Sequence, residues 1–217
     1  MIPQFTQGVF SQQLWRGVGD IDDCAVLADI ACVHACAPWS SLPSATAYRS
    51  AAGNPDDPSA ADGLSQAQSV QAIRALWPKI GARLTVSAGT GTWAAYLAAV
   101  KSGRCASSSV FSAAIATKDG VAVRHRVSIY WNGSLLRIVN PLRKAHSIGE
   151  EITEATLKKA MDDYPDAGLW YILFPTVEEA FTTHPLYIAP GGFTQAQLDA
   201  AVATNEAKWD TWVTTHP

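Results

Sequence analysis

The stretch GDIDDCAVLADIACVHAC, residues 19–36, places three cysteines and a histidine on one predicted helix, directly after a run of acids. Asp22 or Asp23 is a suitable N-cap, and the apolar residues that follow predict a buried helix over residues 24–36. Pro38 ends the helix, because proline cannot continue one. The cysteines could be metal ligands, a disulfide framework, core residues or the seat of a reactive thiol.

Only Cys24 lies at the start of this helix, where unpaired N–H groups and partial positive charge favour a thiolate over a thiol. Cys32 and Cys36 lie in the helix body, where cysteine is usually a small buried hydrophobe. A metal site is disfavoured because His34 points away from the face that Cys32 and Cys36 share. A bridge between those two would distort the helix. We therefore expect free thiols, no metal and no cofactor.

Composition excludes several classes of protein. The chain has 217 residues, 48% of them hydrophobic, which is enough for one generous domain or a domain with an appendage. A net charge of −3 argues against a nucleic-acid partner. The start MIPQFTQGVF does not have the pattern of a signal peptide, and no apolar run is long enough to span a membrane. We expect synthesis in the cytoplasm without a secretion signal.

The rest of the chain predicts helices followed by strands. Further helices are predicted over residues 65–77, 92–103 and 151–161, and strands over residues 104–117, 121–131, 134–140 and 168–176. The GTG at residues 89–91 is expected to be a loop. The predicted strands end at residue 176, and the segment that follows is predicted to contain one last amphipathic helix, capped at Thr194. The sequence therefore predicts an α+β domain over residues 1–176 with a C-terminal extension over residues 177–217.

A predicted hairpin brings a histidine and an asparagine together. Asn132-Gly133 is a strong signal for a two-residue turn, which fixes the register of its strands. His125 would then face Asn140, with Cβ atoms about 4.5–5.5 Å apart. The amide oxygen can accept from one ring N–H and leave the other ring nitrogen free to act elsewhere. Because Val127 and Ile129 share this face, we expect the helix of residues 24–36 to pack on it. A purely structural His–Asn pair is the simpler alternative.

A cysteine at a helix start, a histidine on a later strand and an asparagine beside it are the components of a thiol nucleophile with its oriented base. The sequence resembles the papain-like cysteine peptidase superfamily, and within it the C39-like peptidases, in which a DC pair opens the central helix. Here that pair is Asp23-Cys24. Three further segments follow in the family's order: WAAYLAAVKSGRCASSSV, HRVSIYW and IVNPL.

The resemblance implies a papain-like fold, in which a helical half with the cysteine packs on an antiparallel sheet with the histidine. It implies that Cys24 is the nucleophile, that His125 is the general base and acid, and that Asn140 orients the imidazole. The family usually supplies a second oxyanion donor from a Gln about six residues before the cysteine, and Val18 stands there. Losing one such donor typically costs about 10²–10³-fold in rate, so the alternative is a catalytically weak or inactive structural or interaction module of a virion assembly.

A second resemblance concerns location. The segments CVHACAPWSSLP and LWYILFPT are similar to C39-like domains carried by tailed phages of actinobacteria, where such proteins sit in the virion. This resemblance implies peptide or peptidoglycan-peptide substrates, and we expect protein partners to bind through the C-terminal extension. A Cys–His–His hydrolase with His146 in place of Asn140 is a further alternative. It is disfavoured because His146 lies past Pro141, beyond the paired strands.

Overall fold

The computed structural model describes residues 23–37, 40, 43–54, 63–140 and 150–181. Within them, seven helices combine with a six-stranded antiparallel sheet, which confirms the α+β class. The helices are α1 Cys24–Cys36, α2 Ala45–Ala51, α3 Gln66–Leu76, α4 Pro78–Gly81, α5 Trp93–Lys101, α6 Glu154–Asp162 and α7 Val177–Phe181. The strands are β1 Thr85–Gly91, β2 Ala106–Phe111, β3 Thr117–Lys118, β4 Val121–Ala122, β5 Arg124–Trp131, β6 Leu136–Val139, β7 Glu150–Glu151 and β8 Leu169–Leu173. The large sheet has the order β1-β8-β2-β5-β6-β7, and β3 pairs with β4 separately.

Helix α1 is the buried centre of the molecule, as its sequence predicts. All of its 13 residues are buried, which is expected for a helix that is apolar on most sides. Asp23 is its N-cap residue, but the carboxylate makes no capping bond to the helix. It accepts instead from Nε of Arg49 on α2, at 2.8 Å. Pro38, the predicted stop, lies outside the described residues.

The helices predicted over residues 65–77, 92–103 and 151–161 are present as α3, α5 and α6, because the sequence supplies a capping residue for each. Ser65 and Gln68 form a reciprocal capping box at the start of α3. Thr92 and Thr153 cap α5 and α6 through their hydroxyl groups. The helix predicted from residue 151 starts later, since Glu150–Glu151 pairs with β6 as strand β7.

The register predicted for the β5–β6 hairpin is wrong by two residues. Trp131 pairs with Leu136, so the loop contains residues 132–135 rather than Asn132-Gly133 alone. The Asn132 side-chain oxygen accepts from the backbone N–H groups of Ser134 and Leu135, and this interaction stabilises the wider loop. A shift of two residues preserves the face of every side chain. His125 and Asn140 therefore stay on one face, as diagonal neighbours instead of directly opposed residues.

The prediction that α1 packs on the face of Val127 and Ile129 is wrong. Those two residues belong to a core cluster that contains no residue of α1. The α1 side of β5 carries polar groups: Ser128 donates to the backbone oxygen of Ala28 at 3.0 Å. The sheet is covered on both faces, so the hydrophobic pattern alone selected the wrong one.

Strand boundaries differ more from prediction than helix boundaries. The strand predicted over residues 104–117 is reduced to β2, and the one over residues 121–131 is divided into β4 and β5. The predicted loop at residues 89–91 is the end of strand β1, with an irregularity between Ala88 and Gly91. A side chain at Gly91 would overlap the Tyr171 hydroxyl, which explains why a glycine stands in a strand.

The extension predicted from residue 177 begins within the described structure. Residues Val177–Phe181 form α7, and Ala180 belongs to the same buried cluster as α1. Glu179 of this helix pairs with Arg104 at 3.1 Å. The helix predicted to start at Thr194 lies outside the described residues. Among the helices of the described residues, none is both long and apolar enough to cross a membrane.

Candidate active site

A cavity of about 450 Å³ opens beside the first residue of α1. Cys24 and Ala25 line it from the helix, and Arg124, His125 and Arg126 line it from the start of β5. His125 belongs to the face of β5 that carries Val127 and Ile129, whereas α1 packs on the opposite face, so Cys24 and His125 line the cavity from different sides of the strand. The structure therefore brings the predicted thiol and the predicted imidazole to one cavity.

His125 is held by Asn140, as the sequence predicts. Its ring Nε2 lies 2.8 Å from Asn140 Oδ1, and Asn140 Nδ2 donates to the backbone oxygen of Ile115 at 2.6 Å. Because the amide donates to Ile115, its oxygen is the atom available to the ring, so Nε2 carries the proton. The ring Nδ1 is buried and has no hydrogen-bond partner. The neutral ring is left with its basic nitrogen free.

Burial keeps the His125 ring neutral. Only 3% of the residue is exposed, and burial lowers the pKa of His125 to about 4, although the hydrogen bond with Asn140 raises it. A base must be unprotonated to accept a proton, so the ring is in its basic form at neutral pH.

The thiol of Cys24 is also neutral at rest. Cys24 is the first residue of α1 and is 8% exposed. Burial raises the pKa of the Cys24 thiol to about 11 and outweighs the backbone N–H groups of Arg126 and Ala25, which lower it. The thiolate-stabilising effect expected of the helix start is therefore smaller than the desolvation cost. Cys24 and His125 form a neutral thiol and imidazole in this structure.

A buried ion pair lies beside Cys24 and was not predicted from the sequence. Arg126 Nη1 lies 3.9 Å from Asp29 Oδ1 and donates to the Ser69 hydroxyl at 3.0 Å. Asp29 Oδ2 accepts from the Tyr48 hydroxyl at 2.8 Å. The Arg126 guanidinium lowers the pKa of Cys24, and the Asp29 carboxylate raises it. The sequence signal was a polar residue at every second position of β5, beginning with Arg124 and Arg126.

Gln66 is an amide in the cavity wall, and the family's second oxyanion donor is also an amide, but the N–H groups of Gln66 already have partners. It lines the cavity, and its Nε2 donates to the backbone oxygens of Ser87 at 3.1 Å and Tyr171 at 2.7 Å. These bonds fix α3 to strands β1 and β8. Gln66 therefore supports the cavity wall rather than an oxyanion.

The mouth of the cavity is formed by charged and aromatic side chains. Arg124 pairs with Asp166 at 3.3 Å and lies over the ring of Tyr164 at 5.5 Å. Trp170 and Gln66 line both this cavity and a second, mainly apolar one of about 680 Å³. The two cavities are therefore neighbours that share part of their walls.

The remaining predicted positions divide into two groups. Cys32 and Cys36 are fully buried in the core, as predicted, and all four cysteines are free thiols. The residues that the structure describes contain no cluster of three or more metal-ligating side chains. Val18 and His146 lie outside the described residues.

The fold and the cavity define an α+β protein with a thiol, a neutral imidazole and an orienting amide at one site. Comparison of the chain with protein-family models, with curated proteins and with solved structures found no match. The assignment of function therefore depends on the chemistry of the cavity and on the sequence pattern.

Proposed function

We propose that this chain is a papain-like, C39-like cysteine peptidase that hydrolyses amide bonds with Cys24, His125 and Asn140. One observation carries the proposal: a buried imidazole whose Nε2 is fixed by Asn140 and whose Nδ1 has no partner lines the same cavity as a thiol at a helix start. These are the groups that nucleophilic catalysis by a thiol requires.

In this mechanism His125 Nδ1 takes the proton of the Cys24 thiol as the sulfur attacks the substrate carbonyl. The imidazolium then gives the proton to the leaving amine, which breaks the C–N bond and leaves a thioester on Cys24. Water, activated by the same imidazole, hydrolyses the thioester. The Cys24 backbone N–H at the helix start is one donor to the oxyanion.

The resting state in this mechanism is a neutral pair. With the pKa of Cys24 at about 11 and that of His125 at about 4, the proton moves during attack rather than before it. Activity should fall as pH drops toward the pKa of His125, since the protonated ring cannot act as a base.

Peptides or peptidoglycan peptides are the proposed substrates, and the proposed location is a phage virion, with protein partners at the C-terminal extension. The support for location and partners is the sequence resemblance. The support for an extended peptide is that two neighbouring cavities share Gln66 and Trp170 in their walls.

The first test measures thiol alkylation and peptide hydrolysis together. The native protein is treated with iodoacetamide and mass mapped, and it is assayed on peptide and peptidoglycan libraries. We expect labelling at Cys24 ahead of the other three thiols and loss of hydrolysis in Cys24→Ala. Cys36→Ala, which changes a buried thiol outside the cavity, is the matched control and should hydrolyse normally. Hydrolysis that survived in Cys24→Ala would overturn the assignment.

The burial of Cys24, which leaves 8% exposed and raises the pKa of its thiol to about 11, favours a second candidate: an interaction module that keeps the fold without the chemistry. In that case Cys24 labels no faster than Cys36, and no substrate is cleaved. A chain that ends after residue 181 would keep α7 and its contact with α1, yet lose assembly with partners. Normal assembly of that truncated chain would argue against the module.

A further inference from the structure

Two core thiols from distant parts of the chain meet inside the buried cluster that contains α1. Cys32 lies on α1, and Cys105 directly precedes β2, 73 residues further along the chain. Their sulfur atoms are 2.8 Å apart, and neither residue is exposed. A disulfide bond has an S–S distance of about 2.05 Å, so the two sulfurs need to approach by only ~0.8 Å to form one.

We propose that Cys32 and Cys105 are a disulfide site, and that the bond fixes α1 to the central strands of the sheet under oxidising conditions while Cys24 stays a free thiol. In the reaction, two thiols lose two protons and two electrons. A small-molecule disulfide such as oxidised glutathione accepts them through a mixed disulfide and leaves as two thiols.

The neighbouring cysteines are less suited to this bond. The Cys36 thiol donates to the backbone oxygen of Val33 at 3.4 Å, within its own helix. A Cys32–Cys36 bond would have to form within one turn of α1, against helix geometry. Cys24 is the first residue of α1, two helical turns before Cys32, and it lines the cavity.

The surroundings of the pair determine when the bond can form. Burial raises the pKa of Cys32 and of Cys105, so the attacking thiolate is scarce in the folded protein. The backbone oxygen of Cys105 accepts from the Phe174 amide at 2.8 Å, which fixes its position in the sheet. We expect rapid formation during refolding, slow formation in the folded protein, and resistance to reductants once the bond exists.

The sequence allows a direct assignment by mass spectrometry. The full chain is refolded with oxidised glutathione, free thiols are alkylated under denaturing conditions, and the product is digested with trypsin. Cys24, Cys32 and Cys36 all lie in one peptide, residues 17–49, and Cys105 lies in residues 105–118. We expect one cross-link between these two peptides and two alkylated thiols, which tandem fragmentation places on Cys24 and Cys36.

Single variants provide the controls. The cross-link should vanish in Cys32→Ala and Cys105→Ala and persist in Cys24→Ala and Cys36→Ala. Fragmentation of the unsubstituted protein assigns the bond without them if a variant does not fold. Four alkylated thiols after oxidative refolding, or a cross-link that persists in Cys32→Ala, would overturn the proposal. Neither result bears on peptide hydrolysis, so this inference and the proposed function fail separately.

Discussion

At the scale of single residues, His125 and Asn140 are in contact although the register used to predict that contact was wrong by two residues. Side chains alternate between faces with a period of two, so a shift of two residues moved Asn140 along the strand without changing its face. An asparagine side chain can bridge the diagonal distance, and Nε2 and Oδ1 meet at 2.8 Å. The prediction was correct because alternate residues of a strand share a face, and it did not depend on the type of turn.

Asn140→Ala is expected to reduce both stability and the proposed activity. It removes a partner from His125 Nε2 and from the Ile115 backbone oxygen, and an unsatisfied buried group costs about 1–3 kcal/mol. A ring free to rotate should also lower kcat by about 10²-fold. Urea unfolding and peptide hydrolysis measure the two effects.

Asn140→Asp separates the two effects. It keeps an oxygen for the ring and loses the donor to Ile115, so it should be less stable than the native chain and yet retain more activity than Asn140→Ala. Equal loss of activity in both variants would show that orientation by the side-chain oxygen is not what matters.

The buried ion pair predicts two changes of opposite sign in the pKa of Cys24. Asp29→Asn removes a negative charge and should lower that pKa, and Arg126→Gln removes a positive charge and should raise it. At a fixed pH below the pKa, the alkylation rate follows the thiolate fraction, so we expect changes of roughly three- to tenfold in each direction. The pH dependence of iodoacetamide labelling is the measurement.

The double variant Asp29→Asn/Arg126→Gln is the control for this pair. Breaking a buried pair on one side alone costs about 3–5 kcal/mol, so each single variant should lose stability for a reason unrelated to Cys24. The double variant removes both charges and should label at close to the native rate. A shift of the same sign in both single variants would mean general loosening of the fold.

At the scale of elements, helices were predictable and strands less so. The helices that begin at Gln66, Trp93 and Glu154 follow Ser or Thr caps, which are local signals. Strand limits depend on which neighbour completes the ladder, and that information is distant in sequence. Strand β7 exists because β6 lies beside it, and nothing in Glu150-Glu151 itself predicts a strand.

The close approach of Gly168, just before β8, to Gly89 on β1 predicts that alanine destabilises the fold more at Gly168 than at Gly120. Gly168 and Gly120 have φ of +83° and +79°, so both substitutions force an unfavourable backbone conformation. A Cβ at residue 168 would also overlap the backbone of Gly89, whereas a Cβ at residue 120 meets nothing within 4 Å. Gly168→Ala should lose about 3 kcal/mol or more and Gly120→Ala about 1 kcal/mol, measured by denaturant unfolding. Equal losses would mean that the close approach to Gly89 is relieved by movement.

At the scale of the whole molecule, the sequence predicted the catalytic candidates and missed what surrounds them. Cys24 has a local signal, a helix start, and His125 has another, an alternating strand. Arg126 pairs with Asp29 only because α1 packs on that face of β5, and the choice of face is a property of the complete fold. The error over the packing face and the failure to predict the ion pair therefore have one physical cause.

Two buried histidines predict a loss of stability in mild acid. Burial lowers the pKa of His34 and of His125 to about 4, against 6.5 for an exposed ring. Between these values the unfolded chain binds more protons than the folded one, so the free energy of unfolding rises with pH. The contribution is complete above pH 6.5 and is lost as pH falls through 4, about 3 kcal/mol for each ring. Urea unfolding at intervals between pH 4.5 and about 7.5 measures it.

Single substitutions assign this acid sensitivity to its sources. His34→Gln and His125→Gln each remove one titrating ring, so each should have about half of the native slope of unfolding free energy against pH between 5 and 6.5. The carboxylates are common to all of these chains and titrate mainly below that range, so they cancel in the comparison. His34 lies on α1 and His125 lies on β5, and the proposed peptidase chemistry involves only His125. A native slope retained in His125→Gln would mean that the pKa of His125 is the same in the folded and unfolded chains, and so that burial does not lower it.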